Sequence, residues 1–413
     1  MGKIVKYKME LEVLTPIHIG GVDYKTKLNK MEYLYDPNKA ILTLIDNTKF
    51  VEYLTKNKLL DKYIENLEKI NLFKFLKENN IEKDIGEFTK EPYKGIEIKT
   101  EEGETKKSIN DIKLLNTDIK GEFYIQGSSI KGALVGALLT DYIINNRNKF
   151  NDSKNQIILN AKILLSSYMR LREISEEIKK NKEIKNFQTN KKLFDEQKKL
   201  NNTVKEKKNN IKNEVIRIKE SILNTNSSNK KIGISISDSY KTINTKSYFF
   251  QDIDRSLVND KVKDIPLVRE YIMPNAKFNF DITLDLELLA KTKLNIKSYE
   301  DLEESLSRSI NYLINDIFEI SKVNNENLVL GANTGFYQKT IIHALFDEQK
   351  EINDRKEVIK CILYNPNNPT AKYHLEDPIS PMILNQVRLN NGKFQLAGLV
   401  KIKKIGEKNV GTN

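Results

Sequence analysis

Cysteine is almost absent from this chain of 413 residues, in which Cys361 is the only one. One thiol cannot form a disulfide within the chain, so the sequence favours a reducing compartment. It also excludes a zinc site made of cysteines from one chain. Only three histidines are present, namely His18, His343 and His374, and a histidine-rich metal centre is not expected. We predict neither a bound metal nor another cofactor.

Long apolar runs are also missing. No run reaches the roughly 18 consecutive apolar residues that a membrane span requires. Residues 1–10 alternate lysine with apolar residues and lack the continuous apolar core of a signal peptide. We therefore expect a cytoplasmic protein without a membrane partner.

Positive charge, in contrast, is in excess. The chain has 69 Lys and Arg residues against 57 Asp and Glu, a net charge of +12 at pH 7 with a pI near 9.2. Coulomb attraction and counterion release favour a polyanionic partner for such a protein. Lysine-rich surfaces also occur without nucleic acid, so charge alone leaves the partner open. The length suits two domains with room for an insertion.

A glycine-bearing turn lies near residue 127. An apolar strand ends at Ile125, and apolar residues recur at helical spacing from Ile130 onward. Such a turn presents backbone N–H groups at the positive end of a helix dipole, where a phosphate binds well. The alternative is an ordinary strand-to-helix connection whose glycines only permit close packing, and the residues alone favour the two equally. The candidate binding residues are Gly127, Ser128, Ser129, Lys131 and Gly132.

A second turn of this kind follows the apolar residues 328–330. Its glycines permit close backbone approach to a ligand, and its Thr and Lys side chains can donate hydrogen bonds to a phosphate. The alternative, again equally favoured, is a strand–turn–helix connection with Phe336 in the core. The candidate residues are Gly331, Thr334, Gly335 and Lys339.

Three segments together resemble the RAMP proteins, the RNA-binding subunits of CRISPR effector complexes. Residues 127–134 are Gly-Ser-Ser-Ile-Lys-Gly-Ala-Leu, residues 14–21 are Leu-Thr-Pro-Ile-His-Ile-Gly-Gly, and residues 330–340 are Leu-Gly-Ala-Asn-Thr-Gly-Phe-Tyr-Gln-Lys-Thr. Their order and distances are similar to those of the fifth Csm protein family of type III-A systems. Residues 236–239 and 268–272 add two shorter matches. Ala332 departs from the pattern, because the family carries glycine there.

The resemblance implies an α+β fold with two ferredoxin-like (RRM or RAMP) domains and a charged helical insertion. Alternating apolar residues at 4–14 and 277–286 fit strands of such domains. We expect the N-terminal domain at residues 1–150 and 229–264, and the C-terminal domain at residues 265–413. The insertion is expected at residues 151–228.

The inserted segment has a distinct composition, since residues 153–223 contain neither glycine nor proline. Its apolar residues have heptad-like spacing, which predicts a helical pair or short coiled hairpin. It is either a docking arm for a subunit or RNA, or an insertion with solvated charged faces, which we favour. Its deletion is then expected to leave RNA binding intact. The apolar residues concerned are Leu200, Val204, Ile211, Val215, Ile218 and Ile222.

His18 and Gly20 lie in the first matching segment. His18 is either an RNA contact or catalytic base, or a hydrogen-bonded structural residue at a strand end. Because no partner acid or base is fixed by spacing, we favour the structural interpretation by about two to one. The resemblance nevertheless places both residues among the candidate RNA contacts.

The resemblance implies a non-enzymatic subunit that binds the 3′ part of the guide RNA (crRNA), caps the filament of backbone subunits and supports crRNA maturation and antiviral defence. The implied partners are crRNA, target RNA and the other Csm subunits, both backbone and small. A host ribonuclease that trims the guide is a further candidate partner. The alternative function is a metal-free CRISPR repeat endoribonuclease of the same superfamily, which would use one of the three histidines.

Overall fold

The computed structural model describes most of the chain. It describes residues 4–20, 26–67, 69–99, 104–105, 109, 112–183, 187–226, 228, 231–242, 245–256, 262–318, 326–331, 341–347, 350–363, 383–389 and 392–410. In this part of the chain, no helix is both long enough and apolar enough to cross a membrane.

The alternating residues at the N-terminus form strand β1 (Ile4–Val13). It pairs antiparallel with β11 (Lys277–Asp285) on one side and with β15 (Leu399–Val410) on the other. These strands, with the shorter β12 (Leu328–Val329), β7 (Ile234–Ile236) and β8 (Tyr240–Lys241), make the central sheet. The pairing of β1 with β15 at the centre of this sheet therefore brings the two ends of the described chain together.

The two faces of the central sheet differ, because successive side chains along each strand point to opposite faces. One face is buried against α5 (Gly127–Ile144), α8 (Leu286–Ala290) and α9 (Tyr299–Asn311) in the main hydrophobic cluster. The opposite face carries charged pairs, such as Lys6 with Asp281 at 2.7 Å. Full burial of each large apolar side chain contributes about 1.5–3 kcal/mol, so the helix-covered face holds the sheet in place.

Two further sheets lie outside the central one. The second sheet has the strand order β14 (Phe394–Leu396), β13 (Ile383–Arg388), β9 (Ser247–Ser256), β10 (Val262–Ile272), β6 (Ile112–Lys113) and β2 (Lys27–Leu28). The third consists of β3 (Tyr33–Asp36), β4 (Ile41–Leu44) and β5 (Tyr93–Lys94). Between β4 and β5 lie α1 (Asn47–Lys56), α2 (Leu60–Asn66), α3 (Leu72–Glu78) and α4 (Ile85–Phe88), which share a separate apolar cluster.

The inserted segment forms two long helices, α6 (Asn151–Glu183) and α7 (Phe187–Leu223). They run antiparallel, because Arg170 contacts Glu196 near one end while Arg217 contacts Ser153 near the other. The base of this helix pair is packed into the rest of the protein rather than surrounded by solvent. Ile157, Ala161 and Leu164 of α6 and Ile211, Ile218 and Ile222 of α7 belong to the main hydrophobic cluster. Helix α10 (Ile352–Leu363) packs beside the base of α6.

The mixture of helices and sheets confirms the α+β class. The boundary predicted between residues 264 and 265 lies inside β10. Strand β1 pairs with two strands from beyond that boundary. The division into two domains therefore stays a prediction, and the pairing requires that any such domains share the central sheet.

Candidate functional site

A groove of about 910 Å³ lies along the first half of α5. Its other walls are the segment after β1, the end of β12 and the C-terminal end of α7. Contacts between distant parts of the chain thus bring described residues of all three matching segments to one place. Six predicted binding residues line the groove, namely Gly20, Ser128, Ser129, Lys131, Gly132 and Gly331.

The start of α5 is fixed by a distant carboxylate rather than by a serine of the turn. The side chain of Asp238 accepts a hydrogen bond of 2.7 Å from the N–H of Gly127. A Cβ at Gly127 would lie 2.5 Å from the carbonyl oxygens of Ile236 and Ser237, so only glycine fits there. Gly127 therefore serves packing and capping, and its N–H is already engaged.

The same distant segment also holds the strand end before α5. Ser239 accepts a hydrogen bond on Oγ from the N–H of Ile125 at 2.8 Å, and its own N–H donates to the carbonyl of Ile125. Asp238 thus caps the start of α5. Residues 236–239 thus act as the clamp that positions the start of α5.

His18 is 4% exposed and lies beneath the groove. Its Nδ1–H donates to the carbonyl of Glu270 at 2.7 Å. Burial lowers the pKa of His18 to about 4, so the imidazole is neutral at pH 7. This geometry fits the structural interpretation of His18, because a general base works best with a pKa near the operating pH.

Gly331 packs directly on the backbone of His18. Its φ is +105°, and a Cβ there would lie 2.6 Å from the carbonyl oxygen of His18. The backbones of the first and last matching segments are therefore in close contact at the groove, through His18 and Gly331. The other predicted residues of the second turn, Thr334, Gly335 and Lys339, lie outside the described residues.

A network of buried polar residues on β9 and β10 supports the segment that holds His18. Glu270 accepts hydrogen bonds from the N–H of Leu115 and from the hydroxyl of Ser247. Asp252 pairs with Arg269 and accepts a hydrogen bond of 2.6 Å from the Tyr271 hydroxyl. Burial raises the pKa of both Glu270 and Asp252, and these bonds oppose that shift. Residues 268–272 thus have a scaffolding role.

The groove also contains residues that the sequence did not predict. Lys219, Glu220 and Leu223 of α7 line it, together with Thr225 and Asn226 just beyond. Burial lowers the pKa of Lys219. Sequence reasoning missed this wall because it treated the insertion as separate from the site.

Two other reactive groups lie away from the groove. Burial raises the pKa of the Cys361 thiol to about 12, which makes it a poor nucleophile. Burial likewise lowers the pKa of His343 to about 3. His374 lies outside the described residues. Within the described ranges, no group of three or more His, Cys, Asp or Glu side chains could hold a metal ion.

Comparisons with known proteins agree with the motifs. The family model described as the RAMP superfamily matches residues 10–360. The chain is 31% identical over 146 residues to the CRISPR system Cms protein Csm5 of Enterococcus italicus. This match covers 31% of this chain and 41% of that protein. It is 25% identical over 287 residues to Csm5 of Streptococcus thermophilus, covering 67% of this chain and 63% of that protein. Each match thus spans less than two thirds of the relative's length.

A solved structure is similar in fold. It is a chain of a Csm–crRNA–target RNA ternary complex of a type III-A CRISPR-Cas system, with a TM-score of 0.55 and 14% identity. The alignment covers 98% of this chain and 100% of that chain. The likeness therefore extends over nearly the whole described architecture.

Proposed function

Because the chain belongs to the RAMP superfamily, we propose that it is a non-catalytic, RNA-binding subunit of a type III-A CRISPR (Csm) complex. It binds the 3′ part of the crRNA at the groove and closes the filament of backbone subunits. Its partners are crRNA, target RNA and the other Csm subunits. By covering the guide it sets the length that a trimming ribonuclease leaves.

The convergence of the matching segments at one groove is the observation that carries this proposal. Ser128, Ser129 and Lys131 lie in the first turns of an 18-residue helix, whose dipole favours a phosphate. Asp238 offsets part of that positive potential at Gly127. The cation of Lys131 is therefore the main source of attraction on this side. Phosphate contacts carry no base information, which suits guides of any sequence.

The outer face of the central sheet supports the groove as the interface. RRM sheets read RNA by stacking bases on aromatic side chains of the sheet. The solvent-facing residues of β1 and β11 here are instead charged or polar, apart from Ile4, and none is aromatic. Glu10, for example, pairs with Lys403 at 2.9 Å and with Lys277 at 3.3 Å. The solvent-facing residues of β1 and β11 are Ile4, Lys6, Lys8, Glu10, Glu12, Lys277, Asn279, Asp281, Thr283 and Asp285.

The test is to tag the full chain in its host, purify it gently and sequence the RNA that accompanies it. We expect short RNAs that share one repeat-derived 5′ sequence and have diverse spacers and ragged 3′ ends. Lys131→Glu should lower the RNA recovered per protein roughly tenfold, since a charged phosphate contact becomes repulsive. Lys62→Glu, which makes the same charge change on the exposed surface of α2, is the control.

Two results would contradict the proposal. Recovery of no such RNA with the wild-type protein would remove its basis. Equal loss with Lys62→Glu and Lys131→Glu would mean that the groove is not the binding site. The competing endoribonuclease is tested on repeat RNA without metal. We expect no cleavage, because the pKa values of His18 and His343 lie far below 7, and His374→Ala tests the third histidine.

A further inference from the structure

The positive charge of the chain is concentrated on the hairpin of α6 and α7. Residues 151–223 hold 18 Lys and Arg against 10 Asp and Glu, a net charge of +8. The whole chain has a net charge of +12. Most of the excess therefore lies on a projecting helix pair whose base forms one wall of the groove.

Lysines recur at every seventh residue of α7. Seven residues make nearly two helical turns, so the side chains follow one line with a slow rotation, about 10.5 Å apart and about 42 Å from first to last. We call this line the basic stripe, and it consists of Lys191, Lys198, Lys205, Lys212 and Lys219. The first four of these lysines are exposed, and the fifth, Lys219, lines the groove.

Packing fixes the direction of the basic stripe. Ile211 and Ile218 are buried in the main cluster and directly precede Lys212 and Lys219. Their burial fixes the rotation of α7, so the adjacent lysines lie on the flank of the hairpin. A pair of helices with heptad packing supercoils, which keeps a seven-residue line on one side.

Several carboxylates of the hairpin pair with cations outside the stripe. Arg170 binds Glu173, Glu177 and Glu196, while Lys207 and Arg217 pair with Glu206 and Glu214. Within the residues that the structure describes, the four exposed lysines of the stripe form no ion pair. Over about 30 Å of helix, ion pairs therefore do not neutralise these lysines, and Asp195 is the carboxylate that lies one turn from Lys191 and Lys198.

We propose that the basic stripe is a second RNA-binding surface, continuous with the groove through Lys219, which holds the phosphate backbone of a strand leaving the groove. This inference rests on the proposed function in taking RNA as the ligand of the groove. Evenly spaced point charges suit a polymer with regularly repeated charges better than a folded acidic protein. The contacts are electrostatic, so they accept any sequence and weaken with salt.

The test compares two lengths of unstructured, fluorescently labelled oligouridine, of about 10 and about 30 nucleotides, bound to the full chain. The stripe variant carries Lys198→Gln, Lys205→Gln and Lys212→Gln, which keep good helix formers. The control variant carries Lys162→Gln, Lys192→Gln and Lys199→Gln, which remove the same charge from exposed positions off the stripe. Affinities are measured by anisotropy over a range of salt concentrations, and circular dichroism verifies folding.

We expect the stripe variant to bind the long RNA at least tenfold more weakly and to lower its salt slope by about 2, at roughly 0.7 per lost contact. Its affinity for the short RNA should be unchanged, and the control variant should match the wild type with both. Unchanged binding of the long RNA by the stripe variant would overturn the inference. If that variant instead lost association with other subunits, the stripe would be a protein contact.

The proposed function and this inference fail in different ways. Binding of the short RNA that depends on Lys131, together with an inert stripe, would leave the groove proposal standing and remove the stripe. Absence of RNA binding at either length by the wild-type protein would remove both.

Discussion

Single residues at the groove serve the scaffold as much as the ligand. Gly127 and Gly132 are both on α5 and five residues apart, yet their surroundings differ. A Cβ at Gly127 would meet two carbonyl oxygens at 2.5 Å, whereas a Cβ at Gly132 would meet nothing within 4 Å. Only the first glycine is required by packing.

This contrast yields a stability prediction. Gly127→Ala should lower the free energy of unfolding by about 1–3 kcal/mol, because the added methyl overpacks against fixed backbone. Gly132→Ala should raise it by about 0.5–1 kcal/mol through helix propensity. Urea denaturation of both variants measures the difference. Equal effects of the two substitutions would show that α5 does not start against residues 236–237 in solution.

His18 provides a prediction about pH. Its pKa is about 4 when folded and near 6.5 when unfolded, so between these values the unfolded chain binds more protons. The stabilisation is fully present above pH 6.5 and is lost as the pH falls toward 4. We expect unfolding free energy to drop by roughly 2 kcal/mol more between pH 6.5 and 4.5 in the wild type than in His18→Asn. Parallel pH curves for the two proteins would contradict the buried, neutral imidazole.

At the scale of elements, the helical hairpin has two parts. Its base lies in the main hydrophobic cluster, whereas Ile174, Ile178 and Leu193 form a small cluster of their own farther out. Complete deletion of residues 153–223 would uncover the main core. The expectation that such a deletion leaves RNA binding intact stays a prediction, and the burial of the hairpin base adds that the deletion would destabilise the fold.

Shortening the hairpin should be tolerated where deletion is not. We expect replacement of residues 173–197 by a short glycine-containing loop to leave the melting temperature within a few degrees of the wild type. The ion pairs of Arg170 that would be lost are partly exposed, and such pairs contribute about 0–1 kcal/mol each. Calorimetry of the shortened and fully deleted chains measures this. A collapse of the shortened variant would show that the distal cluster supports the fold.

At the scale of the whole molecule, the central sheet makes the two ends of the chain one structural unit. Ile402 on β15 is 1% exposed and lies opposite Leu11 on β1. Ile402→Ala should cost about 2–5 kcal/mol, since it removes buried methylenes from the main cluster. Lys401→Ala, one residue away and partly exposed, should change stability by no more than about 0.5 kcal/mol. Two separate unfolding transitions in the Ile402→Ala variant would contradict a shared core.

Local patterns predicted much of the site but not its construction. The start of α5 follows from Gly127 and the apolar spacing after it, yet its cap is Asp238, 111 residues farther along. Nearby residues do not reveal this cap, because Gln126, the residue before the helix, makes no side-chain cap and the carboxylate belongs to another segment. Strand β9 likewise lacks a clear local pattern, because Asp252 interrupts its alternation while buried beside Arg269.

The sequence by itself determined the α+β class, the alternating strands β1 and β11, the heptad-like helical hairpin and the matching glycine-bearing segments. Each depends on residues close in the chain, where the periods of helix and strand are visible. Tertiary structure alone decided that β1 lies between β11 and β15, that Gly20, Lys131 and Gly331 meet at one groove, and that Lys219 forms its far wall. Those results depend on contacts between residues far apart in the chain, which no local pattern encodes.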